Sequence, residues 1–240
     1  IEVQMDLTIV AWVSIGLAVA CAVVIAVDEG RDPQTMGVMN VVWPVTALYF
    51  SVFALWAYVV IGRRSSLAHL SRDETAAKMG HPDSGMDMDA PPTLAQVAVG
   101  TSHCGAGCVI ADVACEFWIA AAGITLLGSA LWASFGIDFV AAWTVGIGFQ
   151  YWAIKPMRKE LSVGGAIWAA IKADTLSITA FQVGMYAWMA LVYFKLFHAP
   201  HLTAFDPRYW LMMQLAMMCG FATSFPMNRV LIGMGLKEKM

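Results

Sequence analysis

Six stretches of roughly 20 residues each are dominated by apolar side chains, and they decide what this chain can fold into. They run over 7–27, 41–62, 109–132, 137–154, 172–197 and 209–233. A helix needs about 20 apolar residues to cross the hydrocarbon of a bilayer. Inside hydrocarbon the backbone must satisfy its own hydrogen bonds, so runs of this length suit helices rather than the roughly ten-residue strands of a barrel. The expected fold class is an all-α, multi-pass membrane protein with about six transmembrane helices in contact with a lipid bilayer. Composition agrees. Of 240 residues, 60% are hydrophobic and 13% charged, whereas soluble domains carry about 25% charged residues.

Several function classes fall away at once. The net charge of -3 offers no basic field to a nucleic acid. Five cysteines are an odd number, and Cys21, Cys115 and Cys219 lie in apolar segments, which is not a secreted disulfide framework. No phosphate-binding glycine loop, dinucleotide fingerprint or nucleophile elbow stands in a strand–helix context. No histidine sits mid-span to hold a haem. The sequence therefore favours a non-enzymatic role. The chain begins at Ile1 rather than Met, which leaves its native start open, and 7–27 reads as a span rather than a cleaved signal.

The connections set an expected orientation. Arg63, Arg64, Arg72 and Lys78 follow the second stretch, Lys155, Arg158 and Lys159 the fourth, and Arg229, Lys237 and Lys239 the sixth. Only Arg31, Lys195 and Arg208 fall on the other side. By the positive-inside rule both termini are expected in the cytoplasm. The polar segment 63–100 divides the chain into a two-helix part, 1–62, and a four-helix part, 101–240. Within the linker, 73–78 could form a short helix. Met79, His81, Met86 and Met88 gather there among acidic residues, either as soft ligands or as plain linker.

The most informative motif is Thr101-Ser102-His103-Cys104-Gly105-Ala106-Gly107-Cys108. Cys104, Cys108, Asp112 and Glu116 stand four apart, so a helix begun at Ser102 would carry them as one stripe. The stripe passes from thiols to carboxylates, with the His103 imidazole beside its start. Thiolate and imidazole suit Cu(I), Zn(II) or Fe(II). The competing reading is that Gly105, Gly107 and the cysteines are small residues for close helix packing.

The runs SHCGAGC, GFQYWAIKPMRKELS, AIKADTLSITAFQVGMYAWMALVYF and YWLMMQLAMMCGFATSFPMN together resemble a bacterial membrane family designated domain of unknown function 4396. The resemblance covers about Thr101 to the C-terminus. It implies a four-helix membrane domain with the Ser-His-Cys-Gly-x-Gly-Cys motif at its entry, and it implies no activity.

Further polar residues lie in or near the spans. Gln150, Lys172, Asp174, Gln182 and Gln214 could join Asp112 and Glu116 in one network, because unpaired charge in a bilayer is expensive. Lys172 is expected to pair with Asp112, Glu116 or Asp174, unless it snorkels to headgroups. Among sixteen methionines, Met185 and Met217 are candidates to pass Cu(I) onward, although methionine stripes are also ordinary packing. His198 and His201 are loop histidines, solvated or ligating. These features lead to a membrane protein that binds or moves a soft transition-metal ion, copper before zinc. The expected ligands are His103, Cys104, Cys108, Asp112, Glu116, Met185 and Met217. An accessory subunit of a larger membrane complex or a homo-oligomer is the first alternative. A membrane thiol–disulfide oxidoreductase working through Cys104 and Cys108 is the second.

Overall fold

The structure is a computed structural model that describes residues 2–66, 68, 91–157, 162–197 and 200–237. Its helices are α1 (Glu2–Arg31), α2 (Met39–Phe50), α3 (Val52–Val60), α4 (Leu94–Ala122), α5 (Ala130–Met157), α6 (Val163–Leu191) and α7 (Pro207–Gly233). No named strand occurs among the described residues. Five helices, α1 and α4 to α7, are long and apolar enough to cross a membrane. The shortest of them has 27 residues, which at about 1.5 Å per residue exceeds the roughly 30 Å hydrocarbon core. The chain is an all-α, multi-pass membrane protein.

The stretch 41–62 forms no single span. Its helix breaks at Ser51, where φ is 48° and ψ is -120°, and the chain turns back. The Trp43 and Tyr58 rings meet at 5.7 Å, and Gly62 packs on Trp43. Thr35 N donates to Ser65 O across the mouth of this hairpin. Arms of 12 and 9 residues reach only about halfway through a bilayer. A broken helix leaves carbonyls without partners, and protein must supply them at membrane depth. Gln214 of α7 does so, its Nε2 donating to Leu48 O at 2.8 Å. An apolar run meets the needs of a buried hairpin as well as those of a span, so composition could not separate the two.

With this hairpin, the termini expected on one side lie at opposite ends of the helix bundle. Ser14 of α1 donates to Gln214 at 2.7 Å, near the start of α7. Asp28, near the other end of α1, accepts from Tyr58 and pairs with Arg63, and Gly37 packs on Trp152 late in α5. Arg31 therefore lies at the same end of the bundle as Leu94, Met157 and Gly233, here termed the tail end. Glu2 lies at the opposite end, with Ala122, Ala130 and Pro207. Five crossings put the two ends of the described chain on opposite faces.

Helix α4 is the centre of the bundle, with every residue from Val99 to Val109 buried. It starts at Thr93 rather than Ser102. Thr93 and Gln96 form a reciprocal capping box, which satisfies two orphan N–H groups. The Cys104 motif is therefore mid-helix rather than at an entry. Its glycines are regular helix that permits close crossings. A Cβ on Gly105 would stand 2.6 Å from the Tyr49 hydroxyl, and one on Gly107 would stand 3.3 Å from the Cα of Gly146 in α5. The packing reading of the small residues is correct for these two glycines.

Candidate functional site

Cys104, on the α4 face turned to α6 and the chain's tail, has three polar neighbours and no exposure to solvent. Its thiol donates to Asp174 Oδ1 at 2.8 Å, and Ser177 Oγ lies 2.9 Å from its sulfur. Both partners come from α6, one turn apart. The third partner is Lys237. After α7 the chain turns through Gly235, at φ 68°, and Lys237 N donates back to Leu231 O. That fold returns the lysine into the bundle. Lys237 Nζ stands 2.8 Å from Cys104 Sγ and 3.1 Å from Asp174 Oδ1. Its ammonium has no exposure to solvent and rests on these two groups. Ser177 extends the cluster by donating to Asn228 Oδ1 at 3.0 Å, and Ser224 donates to the Ser177 carbonyl. Only Asp174 Oδ2 lacks a partner. It faces Gly146, where a Cβ would come within 3.0 Å of it.

The predicted stripe continues from Cys104 towards the opposite end. Cys108 lies one turn on and is also fully buried; Gln182 Nε2 of α6 approaches its sulfur at 4.0 Å. Asp112 follows, buried, with neither oxygen partnered. Glu116 comes last and lines a cavity of about 250 Å³, together with Ser134, Tyr193, His201 and Tyr209. Beside Glu116 stands Asp138 of α5, 1% exposed and with Oδ1 unpartnered. With a helix begun at Ser102, Asp112 and Glu116 would lie in the half of the bundle nearest the basic linkers. The early start of α4 moves Asp112 past the helix midpoint and Glu116 into the other half.

Other candidates do not converge here. The His103 ring lies edge-on to Phe149 at 5.8 Å, with both nitrogens unpartnered, and so turns to α5 while Cys104 turns to α6. Lys172 is exposed and rests over the Trp168 ring at 5.5 Å. Among the described residues it makes no ion pair with a carboxylate, and the lysine that meets Asp174 is Lys237 instead. Gln150 is buried without a partner, and Gln214 serves the hairpin and α1. Met185 and Met217 belong to the apolar core cluster that includes Cys108 and Phe181, where they fill space. His201 stacks on Tyr193 at 3.6 Å. The helix expected over 73–78, the linker residues Met79, His81, Met86 and Met88, and His198 lie outside the described residues.

Sequence reasoning missed Lys237, Asp138, Ser177, Ser224 and Asn228. Asp138 carried a readable signal, a carboxylate opening an otherwise apolar run. Lys237 carried none beyond its charge, because its partner Cys104 is 133 residues away.

The chemistry open to this arrangement is limited by its donors. No group of three His, Cys, Asp or Glu side chains among the described residues is arranged to hold a metal ion. Cys104 and Asp174 supply two anionic donors once the thiol is deprotonated, and Ser177 a neutral oxygen. Together they hold an ammonium in a dry bundle. No curated protein matches the chain. No solved structure matches it either. Residues 93–237 match the model of a domain of unknown function, DUF4396, a region that takes in α4 to α7 and Lys237. The chain belongs to that family.

Proposed function

We propose that this protein binds a soft cation, copper(I) before zinc(II), at Cys104 and moves it through the bundle of α4 to α7. The observation that carries this reading is the cation already held there: Lys237 Nζ, 2.8 Å from a thiol and 3.1 Å from a carboxylate. A site that stabilises an ammonium inside a membrane bundle has the charge and the donors for a metal cation. Binding of Cu⁺ would release the Cys104 thiol proton and displace the Lys237 ammonium. The ion would then lie between a thiolate and the Asp174 carboxylate, a soft donor joined to a hard one. The stripe through Cys108 and Asp112 to Glu116 supplies donors about 6 Å apart along the helix axis.

The tail end is read as cytoplasmic, in a bacterial inner membrane, because Arg63, Arg64, Lys155 and Arg229 gather there. Glu2 then lies outside. The complete burial of Cys104 and Cys108 favours metal handling over thiol–disulfide exchange, which needs an accessible sulfur. The test is flux of Cu(I) into proteoliposomes holding a fluorescent chelator. Wild-type protein should load the vesicles and Cys104→Ala should not. Equal rates for the two proteins, or none above empty vesicles, would refute the reading.

A further inference from the structure

The re-entrant hairpin fills only the tail half of the space between α1 and α4. Its chain reverses at Ser51, near mid-depth. Beyond that turn α1 packs on α7 and leaves a cleft of about 550 Å³. Ile15 and Val19 of α1 form one wall, and Val109 and Val113 of α4 the other. Leu48 and Tyr49 at the hairpin tip, with Met213 and Met217 of α7, close the inner end. At the mouth the Phe117 ring lies 5.1 Å from Trp210 and 6.0 Å from Phe205. Tryptophan and other aromatic rings of this kind gather at the level of the lipid headgroups.

We infer that this cleft is a lipid-binding site, which takes one acyl chain of a phospholipid from the leaflet at the Pro207 end. Its depth fits that occupant. From Pro207 at the mouth to Met217 at the base, α7 rises about 15 Å, half of the roughly 30 Å hydrocarbon core and so the reach of a chain in one leaflet. Its chemistry fits as well. A buried water needs about two to four polar partners, and the polar groups of the inner wall are engaged elsewhere. Gln214 donates to Leu48 O and accepts from Ser14. Trp210 Nε1 donates to Ala204 O, and the Tyr49 hydroxyl is turned to Gly105 of α4. The described lining has no lysine or arginine, so the site selects a hydrocarbon chain rather than an anionic headgroup.

The bilayer is also what meets the cleft. Its mouth is continuous with the lipid-facing surface, where Trp12 is 62% and Phe205 66% exposed. The longest stretch of chain outside the described residues, 69–90, joins Ala68 to Pro91 at the tail end, away from this cleft. An unfilled space of this size would be costly, because the cost of a cavity grows with its volume. The bound chain completes the packing of α1, which lies outside the matched region 93–237, against α4 at the centre of that region. The site is independent of copper at Cys104.

Photolabelling in vesicles tests the inference. The probe is a phosphatidylcholine with a diazirine at the end of one acyl chain, in phosphatidylethanolamine vesicles holding the full-length protein. After irradiation, peptide mapping should place adducts on Val109, Met213 and Met217, which protein buries. Val183, on the outer face of α6 and 61% exposed, should be labelled as ordinary lipid-facing surface, and its labelling shows that a variant has inserted. Val113→Trp and Ile15→Phe fill the cleft from opposite walls. Each should remove most of the adducts at Val109, Met213 and Met217 and leave Val183 unchanged. Cys104→Ala should label like the wild type, which separates failure here from failure of the metal reading. Labelling of Val183 with none at the three cleft residues would overturn the site, and so would cleft adducts that survive both fillings. A dimer in native mass spectrometry that carries no phospholipid would assign the cleft to a second copy and overturn it too.

Discussion

Two regions of one helix face have opposite hydrogen-bond accounts. Around Cys104 nearly every acceptor has a donor, because Lys237 folds back from the tail and Ser177 and Asn228 close the remaining gaps. Around Asp112, a little over two turns along from Cys104, several oxygens, both of Asp112 and Oδ1 of Asp138 among them, stand without a partner. Both regions are buried and both carry carboxylates, so burial alone does not distinguish them. The difference is the source of positive charge. The first region holds a cation built into the chain, and among the described residues the second has none in an ion pair with its carboxylates.

Breaking the built-in pair should have the largest effect. Asp174→Ala leaves the Lys237 ammonium buried without its carboxylate, and losing one partner of a buried ion pair costs about 3–5 kcal/mol. Unfolding in mixed micelles should show that loss, and the double variant with Lys237→Met should recover much of it. If the double variant is no more stable than the single one, the pair is not what Asp174 contributes. A smaller effect is expected at Gly146, which keeps α5 close to Asp174. A Cβ there would collide with Ile178, so Gly146→Ala should cost about 1–3 kcal/mol by overpacking. The same assay would read it, and wild-type stability would show that the interface has slack.

These two residues mark how far the site was legible in the sequence. The stripe Cys104, Cys108, Asp112 and Glu116 could be read because helical period alone puts residues four apart on one face. Asp174 was visible as a charge in an apolar run. Its true partner was hidden because Lys237 reaches it through a turn and a folded-back tail, and a local pattern cannot encode contact across 63 residues. Lys172, two residues from Asp174 in sequence, was the tempting partner, but on a helix that spacing points the two side chains to different faces. The fold was legible at five crossings and misread at the second stretch, 41–62, since the break at Ser51 has no proline or glycine beside it to announce it.

The second region should answer its own test in the opposite sense. First, a reference is needed for acid effects from elsewhere. Asp206 caps α7 and its pKa is lowered, chiefly by the Arg208 hydrogen bond. A depressed carboxylate contributes stability above its unfolded pKa, near 4, and loses it as pH falls through the folded value. Asp206→Ala should therefore cost about 1 kcal/mol at neutral pH, and that difference should disappear in strong acid. A difference that persists in acid would mean the cap does not depend on the ionised carboxylate. The smallest change is expected for Asp112→Asn, which supplies an N–H₂ donor where both carboxylate oxygens are buried and unpartnered. It should leave stability unchanged or raise it by up to about 1 kcal/mol. A marked loss would show that Asp112 is ionised and paired, and the contrast between the two regions would collapse.

The most direct test of the central claim is a competition titration of copper(I) against a chelator of known affinity, on wild-type protein and on Lys237→Met. If Lys237 occupies the cation position between Cys104 and Asp174, removing its ammonium should tighten copper binding by at least about tenfold, roughly 1.4 kcal/mol. Cys104→Ala should abolish binding in either background. Equal affinity in the wild type and Lys237→Met, or binding that survives the loss of Cys104, would contradict it.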